Sequence, residues 1–204
     1  MKIIGLTGPS GAGKGFCYPY FDKYNIPCID TDDVYHKLLI PPSDCIDELV
    51  LNFGKSILDK DGGINRKELG NIVFSDKSHK KLDLLNHITH KYVLEKTQEL
   101  VSEYKNENRL AVVIDAPLLF ESNFDKYCDF SVAVISSEVI RIERIMARDA
   151  ITKEAALMRI RSQNSDEFYT SRAKYVIVNN SDADALDTQL EEILTKENII
   201  SRKA

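Results

Sequence analysis

Residues 8–14 read Gly8-Pro9-Ser10-Gly11-Ala12-Gly13-Lys14 and follow directly after the apolar stretch Lys2-Ile3-Ile4-Gly5-Leu6-Thr7. A strand, a glycine-rich turn and a lysine in this order are typical of a phosphate-binding loop, because glycines let several backbone N–H groups face one anion. The lysine then reaches the outer phosphates as a mobile cation. Such loops usually continue with Ser or Thr, whose hydroxyl binds Mg²⁺, but this chain continues with Gly15 and Phe16. Residues 8–14, called the phosphate loop below, predict nucleotide binding in preference to a plain glycine-rich turn.

The composition describes a chain that can build a core, and it disfavours several classes of partner. Its 204 residues are 43% hydrophobic, which suffices for one domain with insertions. The formal net charge of -5 argues against a general nucleic-acid-binding protein, which needs a broad basic face. The apolar runs are too short for a signal peptide or a membrane span. The cysteines show no C-x-x-C spacing, so we expect reduced thiols in a cytoplasmic protein.

Short apolar runs, mostly rich in Ile and Val, alternate with helix-length segments along the chain. This alternation is typical of β-α-β units and of a buried parallel sheet. The predicted strands cover residues 3–7, 27–30, 110–115, 130–135 and 175–178. We therefore expect an α/β fold with a five-stranded parallel sheet flanked by helices.

Between the second and third predicted strands the patterns are helical. The predicted helices cover residues 33–39, 44–53, 66–74 and 77–105. A helical insertion at this point could build a substrate pocket at the carboxyl edge of the sheet, where open α/β folds bind ligands. The last helix carries its leucines on one face, and we expect that face to pack on the sheet.

Two predicted strands end in carboxylates. The second strand leads into Asp30-Thr31-Asp32-Asp33, at the edge where the phosphate loop also lies. The Asp32 carboxylate could accept a hydroxyl proton or hold Mg²⁺ through water. Alternatively, Thr31 or Asp32 caps the following helix. The two roles are compatible, and we favour a functional Asp32.

The third predicted strand ends at Asp115, as in the metal-associated motif of nucleotide-binding proteins, where the carboxylate helps to hold Mg²⁺. Pro117 then biases the chain toward an extended turn. This turn would present Leu118, Phe120 and Glu121 toward the same edge of the sheet.

A basic patch follows the fourth predicted strand. Arg141, Arg144 and Arg148 are spaced by three and four residues, so they share one helical face. A second helix, with Thr152 as its expected N-cap, carries Arg159. In a chain with a phosphate loop, we interpret the two helices as a lid whose guanidinium groups stabilise transferring phosphates. The alternative is a solvated charged helix.

Two further polar pairs have weaker signals. His87 and His90 stand at helical spacing, but no third ligand is suitably spaced, so packed or solvent-facing histidines are favoured over a zinc site. Asn179 and Asn180 follow the last predicted strand, where they could bind a base edge or form a turn.

Taken in order, these motifs resemble those of the dephospho-CoA kinase family over nearly the whole chain. The resemblance rests on Gly5-Leu6-Thr7-Gly8, the phosphate loop, Ile29-Asp30-Thr31-Asp32, Asp61-Gly62-Gly63-Ile64-Asn65-Arg66-Lys67-Glu68-Leu69, Asp115-Ala116-Pro117-Leu118-Leu119-Phe120-Glu121, Arg148-Asp149-Ala150-Ile151-Thr152-Lys153-Glu154 with Arg159 and Gln163, and Val176-Ile177-Val178-Asn179-Asn180. It implies a single P-loop kinase domain over residues 1–204. Its parts are a nucleotide-binding core (about 1–32, 108–139 and 174–204), a helical CoA-binding insertion (about 33–107) and a lid (about 140–173).

The resemblance also implies an activity and a site. Such enzymes use ATP and Mg²⁺ to phosphorylate the 3′-hydroxyl of dephospho-CoA, the last step of coenzyme A synthesis. The implied catalytic residues are Asp32 as general base, Lys14, Arg144 and Arg148. The implied ATP-binding residues are Gly8, Ser10, Gly11, Ala12, Gly13, Lys14, Gly15, Phe16 and, near adenine, Asn179. The implied acceptor-binding residues are Asp32, Leu118, Phe120 and Glu121, and the implied Mg²⁺ ligand is Asp115. We expect ATP and dephospho-CoA as partners, no nucleic acid or membrane, and a monomer or weak homo-oligomer.

Two stretches depart from the family pattern. The family usually has Lys-Ser-Thr where this chain has Lys14-Gly15-Phe16, and His-Pro where it has His90-Lys91. Adenylate-kinase-like enzymes also carry Gly after the lysine, and a water can replace the Ser hydroxyl on Mg²⁺. We therefore expect reduced affinity for metal or ATP, without loss of activity. The alternatives are another nucleotide or small-molecule kinase, or a nucleotide-binding protein with weakened catalysis.

Overall fold

Five strands form one sheet. The computed structural model describes residues 1–180 and 183–201. In chain order, the strands are β1 (Lys2–Thr7), β2 (Cys28–Asp30), β3 (Ala111–Asp115), β4 (Phe130–Ile135) and β5 (Tyr175–Val178). Their order across the sheet is β2-β3-β1-β4-β5, with parallel pairing of β1 to β3, β1 to β4 and β4 to β5. The five predicted strands are confirmed, each within one residue of its observed bounds.

Most of the chain between the strands and after the last strand is helical. In chain order, they are α1 (Tyr18–Lys23), α2 (Thr31–Leu38), α3 (Asp44–Phe53), α4 (Arg66–Phe74), α5 (Lys80–Asn106), α6 (Glu138–Asp149), α7 (Lys153–Arg161), α8 (Asp166–Thr170) and α9 (Ala183–Lys196). Short 3₁₀ turns cover Lys14–Cys17, Lys55–Ile57 and Phe124–Tyr127. Among the residues described above, no helix has both the length and the apolar character needed to cross a membrane.

The chain divides into two compact units, Met1–Ile29 with Glu103–Ala204, and Asp30–Ser102. The first unit contains the sheet except for the last residue of β2. All five residues of β3 are buried, which explains its uninterrupted apolar sequence, since strands of a parallel sheet are covered on both faces. The packing of α9 on this core is confirmed. The residues that α9 contributes to the core are Leu186, Leu190, Ile193 and Leu194.

The second unit is helical and has its own core. The side chains of this core come from α3, α4 and α5, from the segment between α3 and α4, and from Leu39 after α2, and they include Leu49, Leu69 and Ile88. Apart from the last residue of β2, the extended pairing among its described residues is one isolated bridge, between Leu58 and Ile64. The structure therefore confirms that this region is helical, as predicted from the sequence.

The starts of two helices differ from their predicted positions, and side-chain hydrogen bonds explain both differences. Helix α2 begins at Thr31, before the predicted residue 33, because the Asp30 side chain caps it by accepting from two backbone N–H groups. Helix α5 begins at Lys80, after the predicted residue 77. The Asp76 carboxylate binds the backbone N–H of Ser78, and His79 has a left-handed φ of 58°, which interrupts a helix at that point.

The four cysteines are free thiols and at least half-buried. Burial raises the pKa of Cys17, Cys28 and Cys128 to about 12 and that of Cys45 to about 11. Because the thiolate is the reactive form, we expect the native protein to resist iodoacetamide at mildly alkaline pH and to react fully in denaturant. Intact-mass spectrometry measures this. Rapid native labelling of Cys28 or Cys128, the half-buried pair, would contradict it.

Candidate active site

The phosphate loop leaves the carboxyl end of β1 and requires glycine at three positions. Gly8, Gly11 and Gly13 have φ values of 143°, 80° and 91°, which residues with side chains rarely adopt. A Cβ atom on Gly8 would lie 2.1 Å from the carbonyl oxygen of Val134, and one on Gly11 would lie 2.7 Å from that of Arg141. The glycines therefore let the loop pack closely against β4 and α6, with a backbone that can cradle phosphates.

Two side chains bind the carbonyl groups of the phosphate loop. The Asn179 Nδ2 atom donates to the carbonyl oxygens of Ala12 at 2.9 Å and Gly13 at 3.4 Å. The Arg144 guanidinium donates to the carbonyl oxygens of Ala12 at 3.1 Å and Gly11 at 3.4 Å, and to Asn179 Oδ1 at 3.4 Å. Burial lowers the pKa of Arg144. These contacts stabilise the loop, and the ATP contact implied for Asn179 and the catalytic role implied for Arg144 stay predictions.

Arg141 and Gln163 together hold Ser10. Arg141 is buried, and its Nε donates to the carbonyl oxygen of Ser10 at 3.0 Å while a terminal nitrogen pairs with Asp166 at 3.1 Å. Gln163 Oε1 accepts the backbone N–H of Ser10 at 2.9 Å. Sequence reasoning placed Arg141 in the basic patch but missed this role. No local pattern could have shown this role, because Ser10 lies 131 positions away along the chain.

Arg148 is the most exposed of the three patch arginines, with 60% of its side chain accessible. Its guanidinium binds Asp149 through two hydrogen bonds of 2.8 and 3.0 Å, and it lies 3.5 Å from the Ser10 hydroxyl. Arg148, with a further contribution from Arg159, holds the pKa of Asp149 at about 2. Because exposed ion pairs are weak, a phosphate beside Ser10 can compete with Asp149 for Arg148.

Asp115 lies at the end of β3 and is buried. The Lys14 Nζ atom lies 3.7 Å from its Oδ1. The hydroxyl of Tyr18 donates to its Oδ2 at 2.7 Å. The structure therefore brings the predicted lysine and the predicted metal carboxylate together. It adds Tyr18, which sequence reasoning missed because no local pattern links it to a residue 97 positions away.

The donor set fits a metal ion carried by a nucleotide. Within residues 1–180 and 183–201, no group of three or more His, Cys, Asp or Glu side chains is placed to hold an ion. Mg²⁺ in such sites takes one or two carboxylates, phosphate oxygens and several waters. Asp115 can supply the carboxylate, whereas Gly15 supplies no hydroxyl. The site therefore suits Mg²⁺ only together with phosphate.

Phe16 occupies the surface beside the phosphate loop. Its side chain is 59% exposed, and its ring centre lies 5.2 Å from the Arg144 guanidinium carbon, a cation–π contact. At the neighbouring position, a Cβ atom on Gly15 would meet no atom within 4 Å. The space that a serine would occupy at Gly15 is therefore open.

The three residues predicted near the acceptor follow β3. Leu118 is exposed, and Phe120 is half-buried with its ring in an edge contact with Phe168 at 6.2 Å. Glu121 is exposed, and its carboxylate accepts a hydrogen bond of 2.6 Å from Asn164. Phe120 and Glu121 thus contact the segment after α7 that was predicted as part of the lid. Their binding of an acceptor stays a prediction.

Asp32 lies in the first turn of α2, in the second unit, and is exposed. The cap of this helix is Asp30, whose Oδ1 accepts the N–H groups of Asp32 at 2.8 Å and Asp33 at 3.3 Å. Of the two capping residues considered, neither Thr31 nor Asp32 fills the role. The Asp32 carboxylate is not used as the cap, which leaves the predicted base role to be tested.

The chain is similar to known proteins over nearly its whole length. The family model described as Dephospho-CoA kinase matches residues 2–185. A dephospho-CoA kinase of Lactobacillus johnsonii is 37% identical over 192 residues, covering 94% of this chain and 96% of that protein. The structure of dephospho-CoA kinase from Campylobacter jejuni superimposes with a TM-score of 0.69 at 27% identity, covering 96% of this chain and 98% of that chain. A shikimate kinase from Acinetobacter baumannii, at 16% identity and a TM-score of 0.56 over 99% of this chain and 96% of that chain, shares the fold alone.

Proposed function

The chain belongs to the dephospho-CoA kinase family, and we propose that its phosphate loop, two carboxylates and arginine-rich lid transfer the γ-phosphoryl group of ATP to the 3′-hydroxyl of dephospho-CoA. This reaction is the last step of coenzyme A biosynthesis. The observation that carries the assignment is the phosphate loop with its three required glycines at the end of β1, in a chain that matches the family model over residues 2–185.

The phosphate loop and Lys14 position ATP. Backbone N–H groups of the loop bind phosphate oxygens, and the Lys14 ammonium contacts the outer phosphates. Its 3.7 Å separation from Asp115 supports this role, because the distance exceeds that of a direct hydrogen bond and leaves the ammonium donors for phosphate. Phosphoryl transfer requires little else from a protein than positioning and stabilisation of charge.

The arginines stabilise the transferring group. Arg148 leaves its exposed pair with Asp149 and contacts the phosphates near Ser10, where its guanidinium already lies. Arg144 holds the loop through Gly11 and Ala12 and adds positive charge beside it. Guanidinium groups in this arrangement stabilise the charge that spreads over the equatorial oxygens during transfer.

Asp32 serves as the general base. Its carboxylate accepts the proton of the acceptor 3′-hydroxyl as that oxygen attacks the γ-phosphorus, while ADP leaves with the bonding electrons. Asp30, which takes over the capping of α2, supports this role. We place the acceptor near Leu118, Phe120 and Glu121.

Asp115 is the residue that would hold Mg²⁺. When bound, the ion neutralises negative charge on the β- and γ-phosphates. The Tyr18 hydroxyl orients the Asp115 carboxylate through a hydrogen bond of 2.7 Å, and the Lys14 ammonium adds positive charge 3.7 Å from the other oxygen. We further propose that the protein acts in the cytoplasm as a monomer or weak homo-oligomer, with ATP and dephospho-CoA as its partners and without nucleic acid or membrane.

Incubation of the purified protein with ATP, Mg²⁺ and dephospho-CoA tests the assignment. We expect stoichiometric formation of coenzyme A and ADP, measured by chromatography. An acceptor panel containing shikimate, gluconate, nucleosides and nucleoside monophosphates is run in parallel. ATP binding without coenzyme A formation would overturn the proposal, and faster phosphorylation of a panel member would support another small-molecule kinase.

Gly15 and Phe16 favour one alternative, a nucleotide-binding protein with weakened catalysis. The double change Gly15→Ser with Phe16→Thr distinguishes the two hypotheses by steady-state kinetics. If the native loop is functional, we expect kcat/KM to change by less than about tenfold, since one hydroxyl on Mg²⁺ can be replaced by water. The loss of the Phe16 contact with Arg144 should lower stability by about 0.5–1 kcal/mol.

The same kinetic measurement has one outcome that would favour the alternative of weakened catalysis. A rise in kcat/KM of more than about a hundredfold, from near-zero native activity, would show that the native loop has lost catalysis. The single variant Phe16→Thr is the matched control, because it removes the ring and leaves Gly15 unchanged.

A further inference from the structure

Two groups from one short segment lie beside the Asp115 carboxylate, one at each oxygen. Lys14 Nζ is 3.7 Å from Oδ1, and the Tyr18 hydroxyl is 2.7 Å from Oδ2. The side chains of Lys14 and Asp115 are only 15% and 8% exposed, so these contacts are largely shielded from water. A hydrogen bond to an ionised carboxylate is short and strong, and in this partly shielded site it fixes the rotation of the group.

The position that usually supplies a hydroxyl at this point of a phosphate loop is Gly15. In such loops a Ser or Thr after the lysine places its hydroxyl on Mg²⁺. Two hydroxyls of neighbouring residues have other partners: that of Thr7 donates to the carbonyl oxygen of Pro117 at 3.3 Å, and that of Ser10 accepts from Arg148 at 3.5 Å. Tyr18 supplies the hydroxyl that Asp115 receives.

The local backbone explains how Tyr18 takes this role. Lys14–Cys17 is a 3₁₀ turn, and residues three apart in such a turn lie above one another. Tyr18 follows this turn directly, and its backbone N–H donates to the carbonyl oxygen of Gly15, which places the two residues next to each other. A Cβ atom at Gly15 would meet nothing within 4 Å, so the space beside this residue is open. Pro19 then lies in the first turn of α1, where a missing N–H costs nothing.

We propose that Tyr18 is a positioning residue that compensates for the glycine at position 15. Its hydroxyl fixes the Asp115 carboxylate in the orientation that receives nucleotide-bound Mg²⁺, and so maintains the affinity of the site for the metal–nucleotide complex. The inference rests on the proposed function for its metal and nucleotide, and it assigns to Tyr18 no contact with the reacting atoms.

The test compares nucleotide affinity with and without metal, by calorimetry with a non-hydrolysable ATP analogue, alone and with Mn²⁺. For Tyr18→Phe we expect unchanged affinity for the metal-free analogue and a loss of about tenfold in the enhancement caused by Mn²⁺. Tyr175→Phe is the matched control, because the Tyr175 hydroxyl donates to Glu197 at 2.6 Å, another tyrosine–carboxylate bond. This variant should retain the full enhancement.

Rescue separates positioning from packing. In the double variant Gly15→Ser with Tyr18→Phe, we expect the Mn²⁺ enhancement to return to within about threefold of the native value, because the serine hydroxyl reaches the metal directly. The double variant also serves if Tyr18→Phe alone does not fold. A lowered Tm with an unchanged Mn²⁺ enhancement in Tyr18→Phe, or an absence of rescue by Gly15→Ser, would overturn the inference.

The coenzyme A assay on the native protein keeps this inference separate from the proposed function. If the native protein forms no coenzyme A but Tyr18→Phe still lowers the Mn²⁺ enhancement, the proposed function fails and the role of Tyr18 stands. If the native protein forms coenzyme A and Tyr18→Phe leaves the enhancement unchanged, the role of Tyr18 fails alone.

Discussion

Lys14→Met is expected to lower kcat/KM for coenzyme A formation by about a thousandfold, because one cation aimed at the transferring phosphate contributes that much to catalysis. The lysine follows the last glycine of the phosphate loop, and its ammonium lies 3.7 Å from Asp115. Methionine keeps the length of the aliphatic chain and removes only the charge. The loss should occur mainly in kcat, because the interaction strengthens as charge moves onto the phosphoryl oxygens. Steady-state kinetics with ATP varied and dephospho-CoA saturating measure both constants.

The matched control for this variant is Lys196→Met, at an exposed position in the last turn of α9. It removes the same charge far along the sequence from the phosphate loop and should leave kcat/KM within about twofold of native. Circular dichroism melts of both variants establish that they are folded. A Lys14→Met protein that melts normally and keeps more than about a tenth of native kcat would exclude the phosphate role of Lys14.

The strands and the phosphate loop could be predicted because each is determined by residues adjacent in sequence. All of β3 is buried, so its pattern shows an unbroken apolar run ending in Asp115. The φ values of Gly8, Gly11 and Gly13 disfavour most other residues at these positions. The spacing of the glycines therefore predicts the backbone conformation of the loop. In these elements local sequence and tertiary environment impose the same requirement.

The helix starts and the loop-binding side chains depend on information that local patterns lack. The residue that caps α2 is the one whose carboxylate faces the free N–H groups of its first turn. Asp30 and Asp32 are both suitable residue types, so the sequence alone does not distinguish them. Asn179 binds Ala12 across 167 positions of sequence, and a periodic pattern of arginines cannot reveal that Arg144 turns toward loop carbonyls. Long polar side chains have many rotamers, so their partners are decided by the fold around them.

Asp32→Asn is expected to lower kcat for coenzyme A formation by between about 10² and 10⁴-fold, the range associated with loss of a general base. Asparagine keeps the shape of the side chain and cannot accept the proton of the 3′-hydroxyl. The backbone N–H of Asp32 donates to Oδ1 of Asp30 at 2.8 Å, and this hydrogen bond does not involve the Asp32 carboxylate. ATP binding, measured by calorimetry, should therefore stay within about twofold of native.

Asp33→Asn is the matched control for Asp32→Asn. Asp33 is the next residue of the same exposed turn, and its carboxylate pairs with Lys37 at 2.7 Å, with both side chains more than half exposed. Such surface pairs contribute little to stability, so the control should retain native kcat and ATP affinity. Equal losses of kcat in both variants would point to a general effect of negative charge on α2. Full activity of Asp32→Asn would remove Asp32 from the reaction and leave the acceptor proton to water, because phosphoryl transfer with a loose transition state demands only a weak base.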